Sequence, residues 1–165
     1  MRVVIQRVKE ASVKSGGAVT GRIESGLLVY LGVAVNDSES DAIWLAKKIA
    51  FLRIFNDSAG KMNLSLKDIN GNETAISSAP APAGVLVISQ FTLFADARKG
   101  RRPSWNGAAS PEKAKYLYEY FIESVKKQGL VCESGEFQTH MEVTYTNDGP
   151  VTIILDSISS EDLET

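Results

Sequence analysis

The stretch Val85-Leu-Val-Ile-Ser-Gln-Phe-Thr-Leu-Phe94 decides how this chain is read. Val85 to Ile88 form an unbroken apolar run of strand formers behind Gly84. That is the pattern of a strand covered on both faces, so it belongs at the centre of a sheet. Ser89, Gln90 and Thr92 then bring two hydroxyls and an amide to the point where the strand ends, and sites are often built where strands open into loops. Polar residues at such an end also serve as partners for nearby backbone, so the stretch alone leaves both roles open.

Met1 to Lys14 reads as a strand in which Val3, Ile5 and Arg7 share one face, so Arg7 points with apolar neighbours. Such an arginine is expected at an edge or beside a carboxylate, or with its guanidinium fixing a backbone carbonyl. Ser15-Gly16-Gly17 turns the chain into a return strand through Ile23, and Leu27 to Val35 reads as a buried third strand. Ser38-Glu-Ser-Asp41 has capping-box spacing ahead of Ala42, Leu45, Ala46, Ile49 and Leu52, which predicts a helix over 39–52. Lys61 to Ser65 is long enough only for a turn or short strand, and the Gly-, Ala-, Ser- and Pro-rich stretch from Asn70 to Gly84 is expected to be a flexible loop.

Beyond the central strand, Asp96 to Gly107 is irregular and carries Arg98, Lys99, Arg101 and Arg102, with Trp105 expected as a core anchor. Ser110 and Pro111 suit the cap and first residue of a second helix, whose stripe is Ala114, Leu117, Tyr118, Phe121 and Val125 and whose end is Gly129. Leu130 to Glu133 is a short strand. Residues 141–146 and 151–155 alternate in the manner of two strands meeting in a turn at Asn147-Asp-Gly149. The whole is α+β: a mostly antiparallel curled sheet or small β-barrel with two helices packed outside. One domain over residues 1–158 with a polar tail at 159–165 is expected from the length of 165 residues.

With 44% hydrophobic and 23% charged residues the composition is that of an ordinary globular protein. The net charge of -2 argues against a generally basic, nucleic-acid-coating surface. Four of the 18 basic residues nevertheless fall between 98 and 102, a local patch in an acidic remainder. It reads as a solvated loop or as a phosphate-binding one. Cys132 is the single cysteine, so no internal disulfide forms and a reducing compartment, the cytoplasm, fits. The longest uncharged apolar segment, Leu27 to Val35, falls far short of the ~20 residues of a membrane helix.

Conventional hydrolytic machinery is missing from the pattern. His140 is the one histidine, expected at the surface or satisfied by neighbours, and no serine has a glycine elbow around it. No ligand spacing implies a metal, and no Gly-rich phosphate loop implies a nucleotide, so no cofactor is expected.

Ser89-Gln90-Phe91-Thr92-Leu93 and Asn147-Asp148-Gly149-Pro150-Val151-Thr152 together resemble the two signature motifs of the D-aminoacyl-tRNA deacylases, which hydrolyse D-amino acids from mischarged tRNA. The likeness includes Val4-Ile5-Gln6-Arg7-Val8, Gly26 to Val29, Leu52 to Phe55, Lys61 to Ser65 and Arg98 to Pro103. It departs at Gln138-Thr139, where many members carry a small Gly-Ala pair, and in a longer Asn70–Gly84 connection. The resemblance implies a homodimer acting on the aminoacylated 3′ end of tRNA. In it, Gly149-Pro150 adopts a cis peptide and enters the other subunit's site, Arg7 supports that pair, and Phe137 and Met141 form a pocket wall. The parallel carbonyls of the pair would collide with an L side chain and leave room for a D side chain or for glycine, so glycyl-tRNA mischarged on alanine tRNA is an implied second substrate.

An aminoacyl ester is activated and carries a free hydroxyl on the neighbouring ribose carbon. Main-chain N–H groups and hydroxyls of Ser89, Gln90, Phe91 and Thr92 could therefore suffice by orienting the ester and meeting its oxyanion. Thr92 as a nucleophile is the rival mechanism, and a noncatalytic RNA-binding dimer using the basic segment is the rival class.

Overall fold

The computed structural model describes residues 1–71 and 81–157. In chain order its elements are β1 (Arg2–Ser15), β2 (Ala18–Ile23), β3 (Gly26–Gly32), α1 (Glu39–Phe51), β4 (Phe55–Asn56), β5 (Met62–Leu64), α2 (Leu66–Gly71), β6 (Gly84–Ser89), a 3-10 turn (Phe91–Phe94), α3 (Pro111–Lys127), β7 (Val131–Ser134) and β8 (Met141–Asp156). The expected polar tail and the middle of the expected 70–84 loop lie outside the described residues. At the base of that loop, the Asn70 amide clamps Ala83, donating to its carbonyl at 2.8 Å and accepting its N–H at 2.9 Å.

β1 is the spine, because both of its edges are occupied. One edge pairs antiparallel with β2 and β3, the other with β8 along the whole strand. From β3 the sheet continues through two parallel pairings, β3 with β6 and β6 with β7. It curls until β2 approaches β7: a Cβ on Gly21 would stand 2.7 Å from the Ser134 carbonyl oxygen, so this seam accepts only glycine. The result is a mixed α+β sheet nearly closed into a barrel.

The unbroken apolar run of β6 now has a physical reason. Val85 and Val87 face α1 and α3 in the larger core with Val3, Ile5, Leu27, Val29 and Leu31. Leu86 and Ile88 face the barrel interior with Val8, Ala11, Val13, Ile23 and Leu28. Period-2 alternation puts alternate residues on opposite faces, and both faces are covered.

α1 begins where expected, with the Asp41 carboxylate accepting the Ser38 N–H at 2.8 Å, and it buries Ala42, Leu45, Ala46 and Ile49. α3 starts at Pro111 behind Ser110, whose hydroxyl oxygen accepts the Lys113 N–H. Its Phe121 is fully buried, so truncation to alanine should cost about 3–5 kcal/mol. No helix among the described residues is long and apolar enough to cross a membrane.

Three local expectations change. A short third helix, α2, follows Ser65, which forms a cap with Asp68: the Ser65 amide and hydroxyl both donate to its carboxylate, at 2.8 and 2.7 Å. The third strand stops at Gly32, and Ala34 bridges Ala108 instead. Most consequential, residues 141–156 are one strand. Gln6 faces Thr152 and Val8 faces Asn147, so Asp148 to Val151 bulge out opposite the single residue Arg7 rather than turning back as a hairpin. Asn147 closes the bulge from within, its side-chain oxygen accepting the Val151 N–H at 3.0 Å.

Candidate active site

β3 and β6 end side by side, Leu31 against Ser89, and there the chain breaks from the sheet. The Gln90 N–H donates to the Leu31 carbonyl at 2.8 Å, and the backbone then winds into the 3-10 turn. Gly32 makes room for that turn, since a Cβ there would lie 3.0 Å from the Phe94 ring and 3.1 Å from the Gln90 carbonyl oxygen. Because the Gln90 amide is occupied, the N–H groups of Phe91 and Thr92, which open the turn, are the donors without an intrahelical acceptor.

Above this strand end lies a cleft of about 570 Å³. Ile88, Leu31, Val33 and Tyr118 form part of its floor; Ser89, Gln90, Phe91 and Trp105 stand on one wall, and the turn from Phe137 to Met141 makes the other. The structure thus brings Ser89, Gln90 and Phe91 together with Phe137 and Met141 across one space. Thr92 is exposed just outside this lining, its hydroxyl oxygen accepting a bond from the Gln90 amide.

Arg7, Gly149 and Pro150 do not line this cleft within the chain. Arg7 is 7% exposed and holds the bulge from behind: Nε donates to the Asp148 carbonyl at 3.2 Å and lies 3.1 Å from its carboxylate, while Nη1 donates to the Ile54 carbonyl at 2.6 Å. The Gly149-Pro150 peptide is cis, with Gly149 at φ +131°, and a Cβ on Gly149 would press on Val151 and Arg7.

Trp105 departs furthest from the core position expected of it. Instead of anchoring the core it is 39% exposed and meets the exposed Phe91 ring edge-on, at 5.1 Å between centroids, beside the cleft. The basic segment is an exposed loop pinched at its base by two reciprocal backbone bonds of 2.9 Å between Asp96 and Ser104. Within it Arg98 is answered by Asp96, 2.7 Å away, which raises the guanidinium pKa and lowers that of the carboxyl. Lys99, Arg101 and Arg102 make no ion pair among the described residues.

His140, as expected, is exposed, but it sits on the cleft rim, and Gln138 lines the same wall at φ +64°. Two phenols at the floor carry shifted pKa values. Burial raises Tyr118, whose hydroxyl donates to the Val87 carbonyl at 2.9 Å and the Gly135 carbonyl at 3.2 Å. Burial, with Tyr145 nearby, pushes Tyr30 up to about 12. Both remain protonated near neutrality and cannot serve there as bases.

Known proteins resemble this chain in both fold and sequence. Two solved structures share the fold: one described as c-Myc DNA unwinding element binding protein, with TM-score 0.83 and 34% identity over 96% of this chain and all of that one, and a probable eukaryotic D-amino acid tRNA deacylase, with TM-score 0.78 at 14% identity over 94% of this chain and 98% of that one. The α+β architecture is therefore shared with both. A family model described as D-Tyr-tRNA(Tyr) deacylase matches residues 4–156. A D-aminoacyl-tRNA deacylase of Thermosipho melanesiensis is 53% identical over 158 residues, 95% of this chain and 97% of the relative; one of Koribacter versatilis is 54% identical over 157 residues, with the same coverage. The chain belongs to the D-Tyr-tRNA(Tyr) deacylase family, whose members are hydrolases of aminoacyl-tRNA.

Proposed function

We propose that this protein hydrolyses the ester of D-aminoacyl-tRNA, releasing the free D-amino acid and tRNA, and that the cleft between Ser89-Gln90-Phe91 and Phe137–Met141 receives the aminoacylated 3′ end. The observation that carries the reading is the chemistry of the cleft. It brings the Ser89 hydroxyl and the Gln90 side-chain amide to a strand end beside the opening of the 3-10 turn, and its floor phenols stay protonated. Such a site can orient an ester and meet a developing oxyanion; among the described residues no base, His140 on the rim included, is hydrogen-bonded to the Ser89 or Thr92 hydroxyl to activate it as a nucleophile.

In this reading the terminal ribose 2′-hydroxyl, on the carbon next to the ester, relays the proton: it takes one from the attacking water and passes its own to the 3′-oxygen, so that the acyl–water bond forms as the acyl–O3′ bond breaks, leaving free amino acid and a 3′-hydroxyl. The amides of Phe91 and Thr92 face the oxyanion, and Ser89 and Gln90 orient the ester. Phe137 and Met141 face the amino-acid side. Gly149-Pro150 of a second copy completes the site, with its carbonyls obstructing an L side chain and admitting D side chains and glycine, including glycyl-tRNA mischarged on alanine tRNA. Supporting the homodimer is the outer edge of β8, which pairs with no strand other than β1 among the described residues and carries Ile154, 63% exposed. Sedimentation that found monomer alone at roughly micromolar concentration would remove this part. Lys99, Arg101 and Arg102, with a smaller share from Arg98, meet tRNA phosphates. A noncatalytic RNA-binding role is the second reading, favoured only by that basic loop.

The mechanism is tested by Thr92→Ala and by tRNA ending in a 2′-deoxyribose. The variant should keep activity within about tenfold of the parent, while the deoxy substrate loses at least about a hundredfold, the scale of general acid–base assistance. A folded but inactive Thr92→Ala together with rapid cleavage of the deoxy substrate would make Thr92 the nucleophile.

A further inference from the structure

We propose that Ser15, Glu136 and Thr139 form a latch that positions the far wall of the cleft and thereby sets which amino-acid side chains are accepted; this rests on the deacylase reading above. The wall is the turn between β7 and β8, and Phe137 to Met141 all line the cleft. Its first residues are pinned to the floor, since the Gly135 N–H donates to the Val87 carbonyl at 3.1 Å and the Tyr118 hydroxyl donates to the Gly135 carbonyl. Beyond Gly135, the hydrogen bonds found among the described residues that tie the turn back to the sheet all converge on Ser15, the last residue of β1, which is 8% exposed. Its hydroxyl donates to Glu136 Oε2 at 2.7 Å, and the Thr139 hydroxyl shares its one proton between the Ser15 oxygen and the Glu136 carbonyl, 3.0 Å from each.

A second observation says that this arrangement constrains the wall. Gln138 lies between the latched residues at φ +64°, a conformation that an unconstrained glutamine leaves. Fixing Glu136 and Thr139 on either side keeps Gln138 there and with it the neighbouring Phe137 and Met141. Ser15, Thr139 and Glu136 are positioning residues in this scheme. The reacting ester lies on the opposite wall, at Ser89 to Phe91, so a loosened latch alters the grip on the amino-acid side chain more than the bond-breaking step.

The test is steady-state kinetics of the full chain on D-tyrosyl-tRNA and D-alanyl-tRNA, a large and a small side chain. Ser15→Ala and Glu136→Ala should each raise KM for the tyrosyl substrate with kcat within about twofold. The tyrosyl-to-alanyl ratio of kcat/KM should fall by about fivefold, the scale of one lost hydrogen bond. Glu136→Gln, which keeps an oxygen acceptor for Ser15, should restore the ratio. Ser124→Ala removes a buried hydroxyl that donates to the Tyr120 carbonyl on α3, and it should leave the ratio alone. Should Ser15→Ala fail to fold, Thr139→Val carries the same expectation. A parent enzyme active on both substrates whose Glu136→Ala and Thr139→Val variants keep the parental ratio overturns the latch alone, as does an equal shift in Ser124→Ala. A parent inactive on both overturns the deacylase reading and the latch's role in specificity with it.

Discussion

The guanidinium of Arg7 holds the main-chain carbonyl of Asp148 at 3.2 Å, directly behind the Gly149-Pro150 bulge, while its other arm grips the Ile54 carbonyl at 2.6 Å. One buried side chain thus fixes the direction in which the bulge leaves β8. A charged donor bridging two carbonyls is a strong restraint, and lysine cannot reproduce the fork. Arg7→Lys should therefore loosen the bulge and raise cleavage of L-aminoacyl-tRNA relative to the D form, at a stability cost of about 2–4 kcal/mol. Rates on both enantiomers, measured on the folded variant, check it. A fall in D activity with no relative gain in L activity would leave Arg7 a purely structural support.

The loop pinched between Asp96 and Ser104 makes a graded prediction. Arg98 is already paired with Asp96, whereas Lys99, Arg101 and Arg102 make no ion pair among the described residues. Replacing any of these three with glutamine should reduce the slope of log K for tRNA against log salt by about 0.7–0.9 per lost phosphate contact, and Arg98→Gln should reduce it by less. Equal slopes for parent and variants would return the segment to an ordinary solvated loop.

Gln138 carries a cost in its backbone. At φ +64° a non-glycine residue is disfavoured by about 1–2 kcal/mol, partly offset in any comparison with glycine by the greater entropy glycine loses on folding. Its side chain is exposed, so little packing is lost on substitution. Gln138→Gly should raise stability by up to about 1 kcal/mol, seen as a higher urea midpoint at unchanged m. A lowered midpoint would mean that the glutamine side chain makes a contribution larger than its backbone cost.

The parts of this fold that were legible in the sequence are those where local pattern and tertiary packing agree. Val85 to Ile88 is buried on both faces, and the stripes beginning at Ala42 and Ala114 became the inner faces of α1 and α3. Most of what escaped depended on distant partners. Asn147-Asp-Gly149 carries the local chemistry of a hairpin, yet β8 stays one strand because its two halves both find β1, 126 or more residues earlier in the chain at Ser15 to Met141. Trp105 looked like a core residue by size and apolarity, but the 96–104 pinch delivers it to the cleft beside Phe91. Within the candidate site, the Ser89–Phe91 wall was evident as a polar strand end. The opposing wall was less so, since nothing local to Gln138 or His140 reveals that the turn after β7 folds over that strand end. The exception is local: Arg98 is answered by Asp96 two residues away, but in a run of four cations nothing in the sequence marks which one is paired.

The most direct measurement is the rate of tyrosine release by the purified protein from matched D- and L-tyrosyl-tRNA at equal concentration. The cleft chemistry and the family together predict multiple-turnover release from the D substrate, with the L substrate cleaved at least about a hundredfold more slowly, a discrimination of nearly 3 kcal/mol in the transition state. Tight binding of both tRNAs with no release from either, or equal release from the two, would contradict it.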